Sequence, residues 1–326
     1  MEERAMQAIV VERFGGPEVL QVRDVADPAP GDGEVLVDVG AAGVLWVDTA
    51  IRRGAGPPHL AAEPPYVPGG VVAGTVTGLG AGVDPDLHGA RVALRAPHGG
   101  YAERVVAPAS SLVAVPDGVD LGAAAALFGD GATALALLER TPVHPGEHVL
   151  VLPAAGGLGS VLVQLVTAAG GRVIGAARGV ARGRQVRELG AEHVVDHGRP
   201  GWVAELHALL PRGPAVVFDG VGGTAGRSAA WLVADGGRYS SYGAVGGPPP
   251  EPGPCEERSR RLTVVTMEQL AGVAADAPRR VGEVLARAAR GELRPLVGAE
   301  YPLAEAARAH TDLERRRSTG KILLRP

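Results

Sequence analysis

The run Val149-Leu150-Val151-Leu152-Pro153-Ala154-Ala155-Gly156-Gly157-Leu158-Gly159-Ser160 constrains this chain more than any other stretch. Its first four residues are apolar, as in a buried strand. Small residues follow, and Val161, Leu162, Leu165 and Val166 then recur at helical spacing. Strand, tight turn and helix in that order form the phosphate-cradling turn of a dinucleotide-binding βαβ unit. Small side chains let the backbone approach a pyrophosphate, and the helix N-terminus offers free N–H groups to it. Gly159 lets the helix pack closely on the strand.

Gly-rich turns of this kind also occur without nucleotides, so the following residues carry weight. A second apolar strand, Arg172-Val173-Ile174-Gly175-Ala176-Ala177, begins about a helix length later. A site for NADH places Asp or Glu at the end of that strand, on the ribose hydroxyls. Here the strand ends in Arg178, with Arg182 and Arg184 close behind. That pattern favours a 2′-phosphate, and so NADPH over NADH. The alternative is a basic, solvated helix start.

Strands alternate with helices from 148 to about 243, which implies a parallel sheet covered on both faces. Strands are expected at 148–152, 172–177, 193–195, 215–219 and 237–242, and helices at 158–169, 180–189, 201–210 and 223–234. Before this region, residues 6–120 read as short alternating strands between Pro- and Gly-rich turns. An Ala/Leu-rich helix follows at 121–138. A Pro-rich loop at 245–256, a helix at 277–290 and a terminal strand, Lys321–Leu324, complete the chain. The expected class is α/β with a β domain at 1–122, a dinucleotide-binding domain at 123–264 and a return segment, 265–326, that rejoins the first domain. Ligand would sit in the cleft at the C-terminal ends of the parallel strands.

Composition excludes several alternatives. A formal charge of −4 over 326 residues makes no electrostatic case for nucleic acid or an anionic membrane. Arg258, Arg260 and Arg261 form only a small local cluster. The single cysteine, Cys255, rules out an internal disulfide and a structural zinc site built from several cysteines, and the histidines show no ligand spacing. No metal is expected. No run of about 18 apolar residues is apparent, and the start lacks a signal peptide's apolar core, so a cytoplasmic protein is expected. Lys321 is the only lysine.

The chain resembles the zinc-independent, zeta-crystallin-like quinone oxidoreductases of the medium-chain dehydrogenase/reductase superfamily. The resemblance is carried in order by Arg13-Phe14-Gly15-Gly16-Pro17-Glu18-Val19-Leu20, Pro30-Gly31-Asp32-Gly33-Glu34-Val35-Leu36-Val37, Gly99-Gly100-Tyr101-Ala102-Glu103, Phe218-Asp219-Gly220-Val221-Gly222-Gly223 and Ser318-Thr319-Gly320-Lys321-Ile322. It implies a GroES-like β domain, a Rossmann domain, NADPH, a small-molecule substrate and a homodimer. It further implies that Ala154, Ala155, Gly156, Gly157, Leu158 and Gly159 form the pyrophosphate turn and that Arg182, beside Arg178, contacts the 2′-phosphate. Thr133, Tyr242, Gly243 and Lys321 fall near the nicotinamide, although for Lys321 a solvated charge flanking the last strand is an equal alternative.

The departures from that pattern matter. Pro153 stands where the first glycine of the turn is usual; it removes an N–H and fixes φ. Leu45 replaces a common Asn, and Val71 a usual Glu. Gly56 stands where related enoyl reductases carry a tyrosine. The neighbourhood is therefore apolar, which suits hydride transfer to a quinone or α,β-unsaturated carbonyl, a reaction that needs chiefly positioning and a dry site. Trp46 is the candidate for stacking on an aromatic or conjugated substrate, with core packing as its alternative. Asp48 is a candidate either for proton chemistry or for capping the helix after Leu45, and Tyr242 for proton donation. Tyr66 and Tyr101 read as packing residues, and His98 as a loop histidine. Two rival functions remain at this level: a non-redox cyclase, isomerase or dehydratase on the same fold, and an NADPH-sensing protein without catalysis.

Overall fold

The computed structural model describes residues 5–96, 98–248, 263–265 and 276–326. Most of the Pro-rich loop, Cys255 and the Arg258–Arg261 cluster lie outside the described residues. Contacts divide the chain into two compact units, Met1–Gly129 with Val281–Pro326, and Asp130–Arg280.

The first unit is mostly β. Strands β1 (Ala5–Val11) and β2 (Leu20–Ala26) form an antiparallel pair. The long strand β3 (Glu34–Val44) is the hub of a second sheet. It pairs antiparallel with β4 (Val71–Leu79), β6 (Arg104–Pro108) and β15 (Lys321–Arg325). Beyond β4 lie β5 (Arg91–Arg95) and β7 (Val113–Ala114), and β14 (Val297–Pro302) runs parallel to β15. Val35, Val37 and Val39 bury one face of β3 at the two-residue period of a half-buried strand. They join Ile9, Val72, Val76, Leu94, Ile322 and Leu324 in one core. The last strand thus returns to the first sheet, as expected. Two short helices, α1 (Trp46–Arg52) and α8 (Ala306–Glu314), pack on this unit.

The second unit carries the expected parallel sheet. Its strands are β8 (His148–Leu152), β9 (Arg172–Ala176), β10 (His193–Val195), β11 (Val216–Asp219), β12 (Arg238–Ser241) and β13 (Thr263–Val265), in spatial order β10-β9-β8-β11-β12-β13. Every neighbouring pair is parallel. In the unit's own count this is 3-2-1-4-5-6, the doubly wound order of dinucleotide-binding sheets, whose direction reverses between β8 and β11. Helices α3 (Gly157–Ala168), α4 (Val180–Glu188), α5 (Trp202–Leu209) and α6 (Gly223–Leu232) link successive strands. Leu150, Leu152, Ile174, Val217 and Tyr239 fill the core with Trp202 and Leu206 from α5.

Helix α2 (Leu121–Arg140) modifies the hydropathy reading: by length and composition it is apolar enough to cross a membrane, yet 61% of its most apolar window is buried inside the fold. It has the character of a core helix. Helix α7 (Ala277–Ala289) precedes the C-terminal segment. Strands β13 and β14 and helix α8 were not anticipated, and β2, β6 and β7 fall in the region read as short strands without being placed individually. Each is short or lacks a clean apolar period.

Close strand packing fixes one glycine sharply. A Cβ at Gly74 would lie 2.1 Å from the carbonyl oxygen of Asp38 on the facing β3. Backbone cannot yield as a side-chain tip can. Gly74→Ala is therefore expected to destabilise the protein by about 1–3 kcal/mol, read as a lower calorimetric unfolding temperature. An unchanged temperature would mean that β3 and β4 separate without cost.

Candidate functional site

The turn after β8 has the geometry of an anion cradle. Ala154 N–H donates to Ala176 O at 2.9 Å, which ties the turn to β9. Helix α3 then starts at Gly157, with extended Gly156 as its N-cap. Its first intrahelical bond is Ser160 N–H to Gly156 O at 2.9 Å. The N–H groups of Gly157, Leu158 and Gly159 have no acceptor among the described residues, as the first turn of a helix leaves them. A Cβ at Gly159 would stand 1.9 Å from Pro153 O, so only glycine allows this approach of helix to strand end. Pro153 itself lies between β8 and the turn, outside the row of free amides. Its missing N–H is not one that a phosphate would use.

At the end of β9, Arg178 is exposed and Arg182 half-buried on α4. A carboxylate does lie nearby: Asp196 follows β10 rather than β9. It accepts from Gly179 N at 3.0 Å and Gly198 N at 2.9 Å, so backbone donors occupy both its oxygens. At the sheet's reversal point, Gly220 N–H donates to Leu152 O at 2.6 Å. The half-buried Tyr242 lies against Gly220, where a Cβ would meet its ring at 2.3 Å, and Gly243 packs as tightly on Gly220 O. Burial, with Asp219 and Asp130 adding to it, raises the Tyr242 pKa far above the ordinary value, so its hydroxyl keeps its proton. Asp219 holds this corner: fully buried, it accepts from Val221 N at 2.8 Å, Gly222 N at 3.1 Å and the Tyr239 hydroxyl. Thr133 is half-buried on α2.

The first unit holds a buried polar chain that sequence reading only glimpsed. Asp48 is the third residue of α1 and accepts from the N-cap amide of Leu45 at 2.8 Å, the capping role weighed above. The same oxygen accepts from the Tyr101 hydroxyl at 3.0 Å. His310 Nε2 stands 3.1 Å from the Tyr101 oxygen, and Arg52 Nη1 stands 3.0 Å from His310 Nδ1. Arginine only donates, so Nδ1 accepts and the proton sits on Nε2. The chain therefore runs in one direction, from Arg52 through His310 and Tyr101 to Asp48. Arg52 also donates to Gly15 O at 3.1 Å and pairs with Glu314. Tyr101 is thus more than packing, and Arg52 and His310 had no sequence signal beyond their type.

Burial dominates the titration of this chain. It raises the Asp48 carboxyl to about 6, against the Leu45 amide, the Tyr101 hydroxyl and the charges of Lys321 and Arg95. Burial lowers His310 to about 3, and the positive charges of Arg52 and Arg53 add to it. Lys321 is buried at the start of β15, which overturns the reading of it as a solvated charge. Trp46 is exposed at the first turn of α1, which overturns core packing for that ring. His98 is half-buried and meets the Tyr66 ring edge-on at 5.5 Å. Among the described residues, no group of three or more His, Cys, Asp or Glu side chains is placed to hold a metal ion.

Two family profiles match the chain. The profile of the alcohol dehydrogenase GroES-like domain matches residues 31–117, and one described as a zinc-binding dehydrogenase matches 189–324. A quinone oxidoreductase of Pseudomonas aeruginosa is 35% identical over 96% of this chain and 97% of its own length. A 2-haloacrylate reductase of a Burkholderia species is 29% identical, covering 98% of this chain and 99% of its own. A mycobacterial protein solved in complex with NADPH superposes with a TM-score of 0.89 at 34% identity, over 98% of this chain and 100% of its own.

The buried chain has opposing pH dependences. His310 binds its proton less tightly folded than unfolded, so its contribution is complete above about 6.5 and is lost as pH falls toward 3. Asp48 binds its proton more tightly folded, so its contribution is present below 3.8 and is lost as pH rises through about 6. His310→Gln is expected to cost about 1–3 kcal/mol at pH 7 through disturbed buried hydrogen bonds, yet to lose less stability than the parent between pH 7 and pH 4. Calorimetry at the two pH values checks this. Equal acid-induced losses would contradict the assignment of a neutral buried His310.

Proposed function

The chain belongs to the quinone oxidoreductase family of the medium-chain dehydrogenase/reductase superfamily, and on that premise we propose that it is an NADPH-dependent, zinc-independent reductase of quinones or α,β-unsaturated carbonyl compounds. The observation that carries this reading is the row of unpaired amides at Gly157, Leu158 and Gly159, with Arg178 and Arg182 at the next strand end. Bound NADPH supplies the hydride.

The chain's own residues bind and orient. The α3 amides take the pyrophosphate, and small Ala154 and Ala155 with Gly156 leave room for it. Arg178 and Arg182 take the 2′-phosphate, and the acid nearest the end of β9, Asp196, is hydrogen-bonded to the Gly179 and Gly198 amides. Thr133, Tyr242 and Gly243 are assigned to the nicotinamide. Trp46 offers an exposed ring for a flat substrate. Asp48 holds Leu45 and α1 in place as a positioning residue. The second unit serves the cofactor and the first the substrate. Leu45 and the lack of a metal-ligand group among the described residues support zinc independence. The place of Pro153 outside the amide row answers one of the three departures, with Leu45 and Val71, that motivate a non-redox reading.

Fluorescence titration with NADPH and NADH tests the cofactor assignment. Changing Arg178 and Arg182 together to Gln is expected to weaken NADPH at least about tenfold more than NADH, because charge-assisted phosphate contacts are lost. Equal weakening of both cofactors would refute the roles of these arginines. Oxidation of NADPH on mixing with a simple quinone tests the reaction, and no oxidation with any quinone or enone would refute it.

A further inference from the structure

Arg95 closes β5 directly across the ladder from Val71, which offers it no acceptor. Among the described residues no hydrogen bond or ion pair reaches its guanidinium; its electrostatic partner is the more distant Asp48. The side chain is solvent-accessible, yet the surrounding protein still desolvates it and lowers its pKa. That combination belongs to a group that solvent reaches but the surrounding protein partly screens. A carbon placed on Gly129 would lie 3.9 Å from Arg95 Nη2, 3.9 Å from Val71 Cγ2 and 4.0 Å from Leu45 Cδ2. The guanidinium and the half-buried Leu45 side chain therefore border the same spot beside Gly129, where Val71 is buried. Lys321 adds a second positive charge on the far side of Val71: a carbon on Gly43 would meet Lys321 Cε at 3.3 Å and Val71 Cβ at 3.9 Å. The charges of Arg95 and Lys321 both act on Asp48, whose Oδ2 is already engaged by Tyr101 and Leu45.

The geometry points to Arg95 as the substrate-anchoring residue of this protein, taking the carboxylate of a small α,β-unsaturated acid whose carbon skeleton rests on Leu45. This deepens the reductase reading and rests on it. A guanidinium presents a planar fork that matches a carboxylate with two parallel hydrogen bonds, and a partly desolvated cation with no hydrogen-bonded carboxylate gains from an anionic ligand. In the reaction, hydride adds to the β-carbon and breaks the C=C π bond. The electron pair moves to the α-carbon and the carboxylate oxygens, where Arg95 meets the added charge. A proton from solvent then joins the α-carbon and restores the carboxylate. The product is the saturated acid, and NADPH leaves as NADP⁺.

The test uses protein mixed with NADP⁺ and titrated calorimetrically with propionate and with propionamide, which has the same skeleton without the charge. The parent protein is expected to favour propionate by about 10- to 100-fold, the size of a charge-assisted bond. Arg95→Met should bring that ratio near one, and Arg95→Lys should retain part of it by keeping the charge without the fork. The ratio of kcat/KM for acrylate over acrylamide should move in parallel. A parent protein that does not prefer the acid overturns the assignment, and so does a preference that survives in Arg95→Met. A variant that weakens NADPH as much as propionate also overturns it, because Arg95 would then belong to the cofactor. If Arg95→Met does not fold, Arg95→Gln and Arg95→Lys give the same comparison. The two readings fail differently. Quinone turnover without acid preference defeats only the anchoring role, whereas acid binding with no NADPH oxidation by any acceptor defeats the reductase reading.

Discussion

The first unit depends on one buried line of hydrogen bonds, from Arg52 through His310 and Tyr101 to Asp48. Arg52, His310 and Tyr101 are fully buried, and an unpaired polar group there would cost more than any single apolar contact returns. The line resolves that cost by being complete. It joins four stretches far apart in sequence: the turn at Gly15, helix α1, the loop at Tyr101 and helix α8. The C-terminal segment is therefore held to the first unit by polar geometry as well as by the pairing of β15 with β3. Leu45 and Trp46 owe their positions to it, since the Asp48 carboxyl fixes the residue that begins α1.

In the second unit the comparable constraint is steric. Strand β8 can feed α3 only if nothing projects from Gly159 toward Pro153 O. The same requirement recurs across the sheet's reversal, where Gly220 makes way for Tyr242 and Gly243. Each place puts bare backbone at the C-terminal end of a parallel strand, the end where such sheets bind ligands. Asp219 stabilises the second of these corners from beneath by accepting from the turn's own amides. Backbone donors at the first corner remain available because no side chain is present to use them.

Legibility in the sequence followed the range of the interaction. The parallel strands and their helices were readable because each buries a continuous apolar run within a few residues of a turn signal. Helix α8 was missed because its buried face consists of Ala306, Ala309 and His310, which make no apolar stripe. His310 could not be placed because its partners lie 209 and 258 residues away along the chain. Asp48 was half legible: the cap three residues back is a local pattern, whereas the Tyr101 contact is not. Lys321 and Trp46 exchanged their ordinary environments, the charge buried and the indole exposed. Composition expects the reverse of both, and only tertiary structure decides them. Asp196, an acid near the end of β9, escaped notice because it follows the neighbouring strand.

The proposed anchoring role of Arg95 changes what the first unit would ask of a substrate. Leu45 beside Arg95 offers the proposed acceptor no side chain that readily exchanges a proton, so acid–base catalysis by a side chain is not its natural chemistry. A fixed cation does something else. Hydride addition to a conjugated acceptor moves an electron pair onto oxygen, and a positive group already in place stabilises that charge without reorganising at the moment of reaction. Its effect is larger for the developing charge than for a neutral ground state, which is the condition for raising a rate rather than only tightening binding. With an acid as substrate, part of that attraction is already expressed in binding. The same guanidinium would then divide its effect between affinity and rate according to how much charge the acceptor carries before hydride arrives.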